Sequence, residues 1–120
     1  MTISEFSRKT EISPYTLRCY EKKGLIHANR DPLGRRNYSE NDVEWVKFIR
    51  RLKDTGMLLR NIRHYSDLRY EGDGTMQERM ELLLTHRKSL LEEQRKWNEY
   101  LENLDEKIGI YRKRIESTER

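Results

Sequence analysis

Hydroxyls and positive charges spaced along one short helix suit phosphate oxygens and base edges, and residues 13–26 carry such a set. Tyr15, Thr16, Arg18 and Lys22 lie between a helix start and a helix stop. Ser13 suits the N-cap, and Pro14 suits the first helical position, where a missing N–H costs nothing. Gly24 suits the left-handed residue that ends a helix. Leu17 is spaced to face inward, and Leu25 and Ile26 carry the chain onward in extended form. On these residues alone, a DNA-recognition helix and a plain basic surface helix are equally good readings.

A second group of positive charge comes next. Asp31 to Gly34 is turn chemistry, and its flanks, Leu25–Asn29 and Arg36–Tyr38, can pair as a small hairpin. So short a hairpin is unstable alone and must lean on helices. Arg30, Arg35 and Arg36 cluster at or beside its tip. In isolation such a cluster reads as a solvated loop. Directly after a recognition helix it reads as a wing that grips the phosphate backbone.

Positioning these groups requires flanking helices, and the sequence supplies them. Thr2 and Glu5 form a capping-box pattern that starts a helix over about Ile3 to Lys9, with Ile3 and Phe6 inward. Ser7 to Glu11 is the expected turn, and Ile12 would plug the corner before the second helix. Helix, short turn, helix is the layout whose second helix enters the major groove. Ser39 caps a third helix whose apolar face is Val43, Val46, Phe48, Ile49 and Leu52, with Trp45 on its edge and Gly56 beyond its end. Lys47, Arg50, Arg51 and Lys53 would face outward. A further helix over about Leu58 to Arg69 carries Leu59, Ile62, Tyr65 and Leu68, with Arg60, Arg63 and His64 on its polar face.

Tyr70 to Gly74 is a break, and Thr75 is placed to cap a last, long helix. Met76, Met80, Leu83, Arg87, Leu90, Gln94, Trp97, Leu101, Leu104, Ile108, Tyr111 and Ile115 are spaced along it alternately by four and three. That is a coiled-coil seam, interrupted only by Arg87 and Gln94; Gly109 is a weak point in helix propensity. A lone helix cannot bury its own stripe, so a second copy is the simplest cover. The spacing leaves open whether the two would run parallel or antiparallel. The expected organisation is a DNA-binding domain over residues 1–70, a linker over 71–74 and a dimerisation helix over 75–120.

Composition agrees with apolar residues confined to narrow seams: 34% of the 120 residues are hydrophobic and 38% are charged. Net charge is +4 and uneven, with 15 basic against 9 acidic residues over positions 1–70 and 10 against 12 over positions 71–120. The basic half is the part suited to a polyanion. One cysteine excludes an intrachain disulfide and a thiolate-rich metal site. His27, His64 and His86 have no metal-ligand spacing. No Gly-rich phosphate loop, nucleophile elbow or His/carboxylate constellation is present, so no enzyme is expected. No cofactor is expected either. No signal-peptide pattern and no membrane-spanning stretch is found, so the expectation is a soluble cytoplasmic protein that uses no membrane.

Leu17-Arg18-Cys19-Tyr20-Glu21-Lys22-Lys23-Gly24-Leu25-Ile26, then Gly34-Arg35-Arg36-Asn37-Tyr38, then Phe48-Ile49 through Thr55-Gly56-Met57 resemble the DNA-binding domain of MerR-family transcription regulators. The resemblance covers residues 2–70, and the long helix is similar to the dimerisation helix of that family. It implies a mainly α fold: a winged helix-turn-helix followed by a long helix that pairs as an antiparallel coiled coil. It also implies a bacterial homodimer on a palindromic operator in double-stranded promoter DNA. Such a dimer distorts an overlong promoter spacer and acts on RNA polymerase through the promoter. By position, Arg18 and Tyr20 take recognition-helix roles, and Arg30, Arg36 and Tyr38 take wing roles. Met80, Leu83, Leu90, Trp97, Leu101, Leu104, Ile108 and Tyr111 are the dimerisation residues.

The chain departs from the pattern in two places. Cys19 stands where the family usually has an aromatic, and Arg35 stands where a ring usually precedes the wing arginine. The second departure trades a ring for a charge and implies stronger salt dependence. The short architecture, including Tyr65 to Asp73, is similar to the aldehyde- and electrophile-stress subgroup but lacks its third-helix cysteine, having Arg50, Arg51 and Leu52 there. No cysteine is found after Cys19, so thiolate metal sensing is not expected. Cys19, between Arg18 and Lys22, is either a redox trigger or a packed small residue, the second being preferred. The alternative to a regulator is a coiled-coil adaptor whose basic head binds protein or RNA.

Overall fold

A computed structural model describes residues 1–119; Arg120, the end of the expected 75–120 segment, lies outside the described residues. Five α-helices and one hairpin come in the order α1 (Ile3–Thr10), α2 (Pro14–Lys22), β1 (Asn29–Arg30), β2 (Arg36–Asn37), α3 (Glu40–Asp54), α4 (Leu59–Glu71) and α5 (Met76–Glu119). Met1–Leu83 forms one compact unit and Leu84 onward a second. The first therefore runs past the boundary at residue 70 expected from sequence.

Local chemistry sets the helix starts. Thr2 accepts the Glu5 amide at 3.2 Å, forming the Thr2 half of the expected box. The reciprocal box forms at α3 instead, where Ser39 and Asp42 each accept the other's amide. The turn between α1 and α2 is tighter than expected, because Ser7 to Thr10 stay helical and the reversal falls on Glu11 at φ 58°. Glu11 is held there from outside the turn: the Arg50 guanidinium donates to its carbonyl at 3.1 Å. Ser7 Oγ donates to the Ile12 carbonyl at 2.6 Å, and Ile12 is buried in the corner as its spacing predicts.

The core is one cluster that joins α1, α2, the hairpin, α3 and α4 around Phe6, Leu17, Leu25, Ile49 and Ile62. Two expectations about it need correction. Trp45 is 4% exposed and central, stacked on Tyr65 at 5.6 Å, whereas Phe48 is only partly buried. Leu59 is exposed, and Met57, in the loop before α4, is buried in its place. Leu25, where α2 hands over to the hairpin, is pinned from two helices. Its carbonyl accepts Trp45 Nε1 at 3.0 Å and the Ser66 hydroxyl at 2.7 Å, and Ser66 is fully buried.

The expected linker is structured. Gly72, at φ 112°, ends α4, and Asp73–Thr75 form a 3₁₀ turn. Thr75 does not act as a simple N-cap; its hydroxyl points back to the carbonyls of Leu68 at 2.6 Å and Gly72 at 2.8 Å. Leu82 and Leu83 pack against the core, so the first turns of α5 belong to the compact unit.

Within the second unit the large apolar side chains are uncovered: Trp97 is 64% exposed, Leu101 56% and Leu104 57%. Of the expected dimerisation residues, Leu83 is partly used by the core and Leu90 is half-buried, while Met80, Ile108 and Tyr111 are exposed. Leu84, Leu91, Tyr100 and Ile110 are exposed too, so the apolar stripe is wider than the four–three spacing alone.

Candidate nucleic-acid interface

α2 presents part of the set expected of it. Tyr15 is 75% exposed, Arg18 is exposed, and Lys22 and Lys23 are exposed at the C-terminal end, where cations oppose the helix dipole. Ser13 Oγ accepts the Thr16 amide at 3.2 Å and donates to Thr16 Oγ1 at 3.0 Å. Leu17, on the opposite face, is fully buried and fixes the helix rotation.

Tyr20 departs from its expected role. Its spacing from Leu17 is three, so both lie on the inner face; Tyr20 is 4% exposed, with Lys53 Nζ 5.5 Å from its ring centre. Burial raises the phenol pKa above its usual value; nearby Arg50 lowers it and Asp54 raises it, so the hydroxyl stays neutral. In the free chain Tyr20 packs the helix onto the core.

The hairpin is shorter than its expected flanks, with Asn29 paired to Asn37 and Arg30 to Arg36. Its tip is rigid. Asp31 N donates to the Arg35 carbonyl at 2.8 Å, and Gly34, at φ 79°, donates to the Asp31 carbonyl at 2.9 Å. Asp31 Oδ1 accepts the amides of Leu33 and Arg35, both at 2.9 Å, and Oδ2 accepts Arg35 Nε at 3.0 Å. The added charge at Arg35 is therefore partly balanced by Asp31, which tempers the salt dependence implied by that departure. Arg35 is exposed.

The bond from the Arg35 amide, more than any other contact, holds the Asp31 carboxyl below its ordinary pKa; the Arg35 side chain and the Leu33 amide add to this. A depressed folded-state value means the tip is fully ordered above the ordinary aspartate range. Order is then lost as pH falls through the lowered value. In an NMR titration the Leu33 and Arg35 amide shifts should hold through the usual aspartate range and move only at lower pH. A midpoint at the ordinary aspartate value would show that the tip bonds are not kept in solution.

Behind the tip, Arg36 is half-buried and Arg30 exposed, and both face Glu21 of α2. Arg36 Nε donates to Glu21 Oε2 at 2.8 Å, and Arg30 Nη2 lies 3.8 Å from Glu21 Oε1. Sequence reasoning missed this role for Glu21. The available signal was an acid in a helix otherwise suited to an anion.

Tyr38 is buried too. It is 3% exposed and stacked on Phe6 at 4.1 Å, and its amide donates to the Met1 carbonyl at 3.0 Å. Its hydroxyl is buried with no hydrogen-bond partner. A buried orphan hydroxyl costs about 1–3 kcal/mol. Tyr38→Phe should therefore stabilise the free protein by about 1 kcal/mol in urea melts. If the same variant loses DNA affinity, the hairpin moves on DNA and brings the hydroxyl out; unchanged affinity would leave Tyr38 a core residue only.

Cys19 is half-buried on α2 and forms no disulfide. His27 stacks on Tyr70 at 3.9 Å and gives its amide to the Tyr70 hydroxyl at 3.0 Å, tying the hairpin root to the end of α4. Among the described residues, no group of three or more His, Cys, Asp or Glu side chains is placed to hold a metal ion. No described helix is long and apolar enough to cross a membrane.

A four-helix core that exposes one face of its second helix beside a basic hairpin defines a winged helix-turn-helix protein. Similarity to known proteins narrows the class. Residues 1–68 match the family described as MerR HTH family regulatory protein, and residues 43–108 match MerR, DNA binding. An HTH-type transcriptional regulator of Haemophilus influenzae is 34% identical over 113 residues, 93% of this chain and 84% of the relative. AdhR of Bacillus subtilis is 33% identical over 93 residues, 77% of this chain and 66% of that protein. Among solved structures, HiNmlR, a MerR family regulator lacking the sensor domain and bound to promoter DNA, superposes with a TM-score of 0.79. It is 34% identical, covering 93% of this chain and 90% of that one. A putative MerR family regulator from Listeria monocytogenes gives a TM-score of 0.85 at 34% identity, covering 92% and 85%. The chain belongs to the MerR family. It is a DNA-binding transcription regulator, not an enzyme.

Proposed function

We propose that the chain acts in the cytoplasm as a homodimer that grips a two-fold symmetric operator in promoter DNA and changes RNA polymerase's use of the promoter by distorting it. One observation carries this reading. α2 and the basic hairpin belong to one packed unit, while the same chain continues into a helix whose apolar stripe is exposed. Two copies paired along that stripe as an antiparallel coiled coil would set two heads at a fixed spacing, as a palindrome requires.

In this reading Tyr15, Thr16 and Arg18 meet base edges and phosphates in the major groove, and Arg30, Arg35 and Arg36 meet the backbone beside it. DNA distortion draws on the energy of these backbone contacts. The similar HiNmlR is itself bound to promoter DNA, which supports the placement. Footprinting on the promoter region next to the chain's own coding sequence tests it. A two-fold protected region over the promoter, with enhanced cleavage at its centre, is the expected result. Uniform weak binding without a footprint would favour a basic-headed coiled-coil adaptor instead.

A further inference from the structure

We propose that Glu21 sets DNA specificity as a positioning residue that locks the wing to the recognition helix and withholds part of the wing's charge from phosphates. The inference rests on the DNA-binding reading above and adds a role for an acid whose ion pairs are with the wing.

The geometry is specific. α2 ends at Lys22, so Glu21 sits in its last turn, where its side chain reaches past the helix toward the hairpin. It is 22% exposed, and its two oxygens face two different arginines, Oε2 taking Arg36 Nε at 2.8 Å and Oε1 lying 3.8 Å from Arg30 Nη2. Arg30 and Arg36 are cross-strand partners, one on each strand of the hairpin. One carboxylate thus bridges both strands of the wing to the helix it flanks. The hairpin has only two paired residues on each strand, too few to hold its own orientation. The anchors of the hairpin root, at Leu25 and Tyr38, lie on the chain before β1 and after β2. Glu21 acts on the strands themselves.

This bridge affects recognition in two ways. Wing and α2 approach DNA with a fixed separation, so phosphate contacts reinforce one register of α2 on the base pairs. The carboxylate also offsets positive charge that would otherwise attract any duplex. Releasing it should strengthen non-specific binding while weakening the preference for the operator. Simple removal of a negative charge from a DNA-facing surface would strengthen binding to all sequences equally and leave the preference intact.

Glu21→Gln is the test, since it keeps shape and removes charge. Titrations with operator and with random duplex over a range of salt should show a slope steeper by about one for both DNAs. The ratio of operator to random affinity should fall by about tenfold. An unchanged ratio overturns the proposal whether or not the slope changes, since charge removal alone steepens the slope without touching the preference. In free protein, Arg36 Nε–H exchange followed by NMR should be slow in the wild type and fast in Glu21→Gln; fast exchange in the wild type overturns it as well. The double variant Arg30→Ala with Arg36→Ala separates the two failures. If it loses operator affinity while Glu21→Gln changes nothing, only the role of Glu21 falls. If it binds operator like the wild type, Arg30 and Arg36 do not hold DNA and the role of Glu21 falls while operator binding stands; a wild type that does not prefer operator over random duplex overturns the DNA-binding reading itself.

Discussion

Leu101→Lys combined with Leu104→Lys should convert the protein to a monomer and abolish its operator footprint. Both side chains are more than half exposed in the single chain, on a stripe that also carries Trp97 and Ile108. Full burial of a leucine stabilises by about 1.5–3 kcal/mol, and each variant chain loses two such contributions while placing charge in the seam. The paired state, with two chains changed, should lose several kcal/mol, enough to dissociate at micromolar concentration. Binding then falls to that of one head. Linking two heads raises affinity through effective concentration by about 10²–10⁴, and that factor should disappear from operator titrations. Sedimentation gives the mass directly. Trp97 adds a second signal, because it is 64% exposed without a partner and pairing would bury it. Its emission should shift to the red in the variant. A dimer that persists with a full footprint would place the interface elsewhere.

The second large effect concerns Trp45. Trp45→Ala should cost about 3–5 kcal/mol in urea melts, close to the whole stability expected of so small a unit. The indole stacks on Tyr65 at 5.6 Å, lies 6.1 Å from Phe48, and takes the Arg69 guanidinium on its face at 4.6 Å. It also donates to Leu25, the hinge between α2 and the wing. Trp45→Phe keeps an aromatic ring but loses the N–H and part of the indole's volume. The Leu25 carbonyl keeps the Ser66 hydroxyl at 2.7 Å, so it is not orphaned, and the loss should be about 1–2 kcal/mol. A near-neutral Trp45→Ala would mean that α3 and α4 close over the gap and that the indole packs less tightly than its contacts indicate.

Trp45 also marks how far a pattern of apolar residues reaches. The spacing of Val43, Val46, Ile49 and Leu52 found the inner face of α3, and all four are buried. It placed Trp45 at the edge of that face and Phe48 within it, and the structure reverses the two. An apolar stripe spans about 100° of a helix, and which of its two margins is covered depends on the neighbour. Here α4 brings Tyr65 and Arg69 onto the Trp45 side, a contact the chain makes across some twenty residues.

The features visible in the chain alone were those set within one turn. Ser13 and Ser39 cap helices, Pro14 opens α2, and Gly24 and Gly34 take positive φ, because each depends on backbone geometry a few residues away. The order of helices, the hairpin and the four–three seam arise from the same short-range rules, as did the family resemblance. Tertiary packing alone decided the rest. It buried Tyr20 and Tyr38, turned Arg36 onto Glu21, folded Thr75 back on α4 and carried the compact unit to Leu83. Each of these depends on groups from separate elements, and a side chain's exposure or charge partner is a property of that meeting, not of its neighbours in sequence.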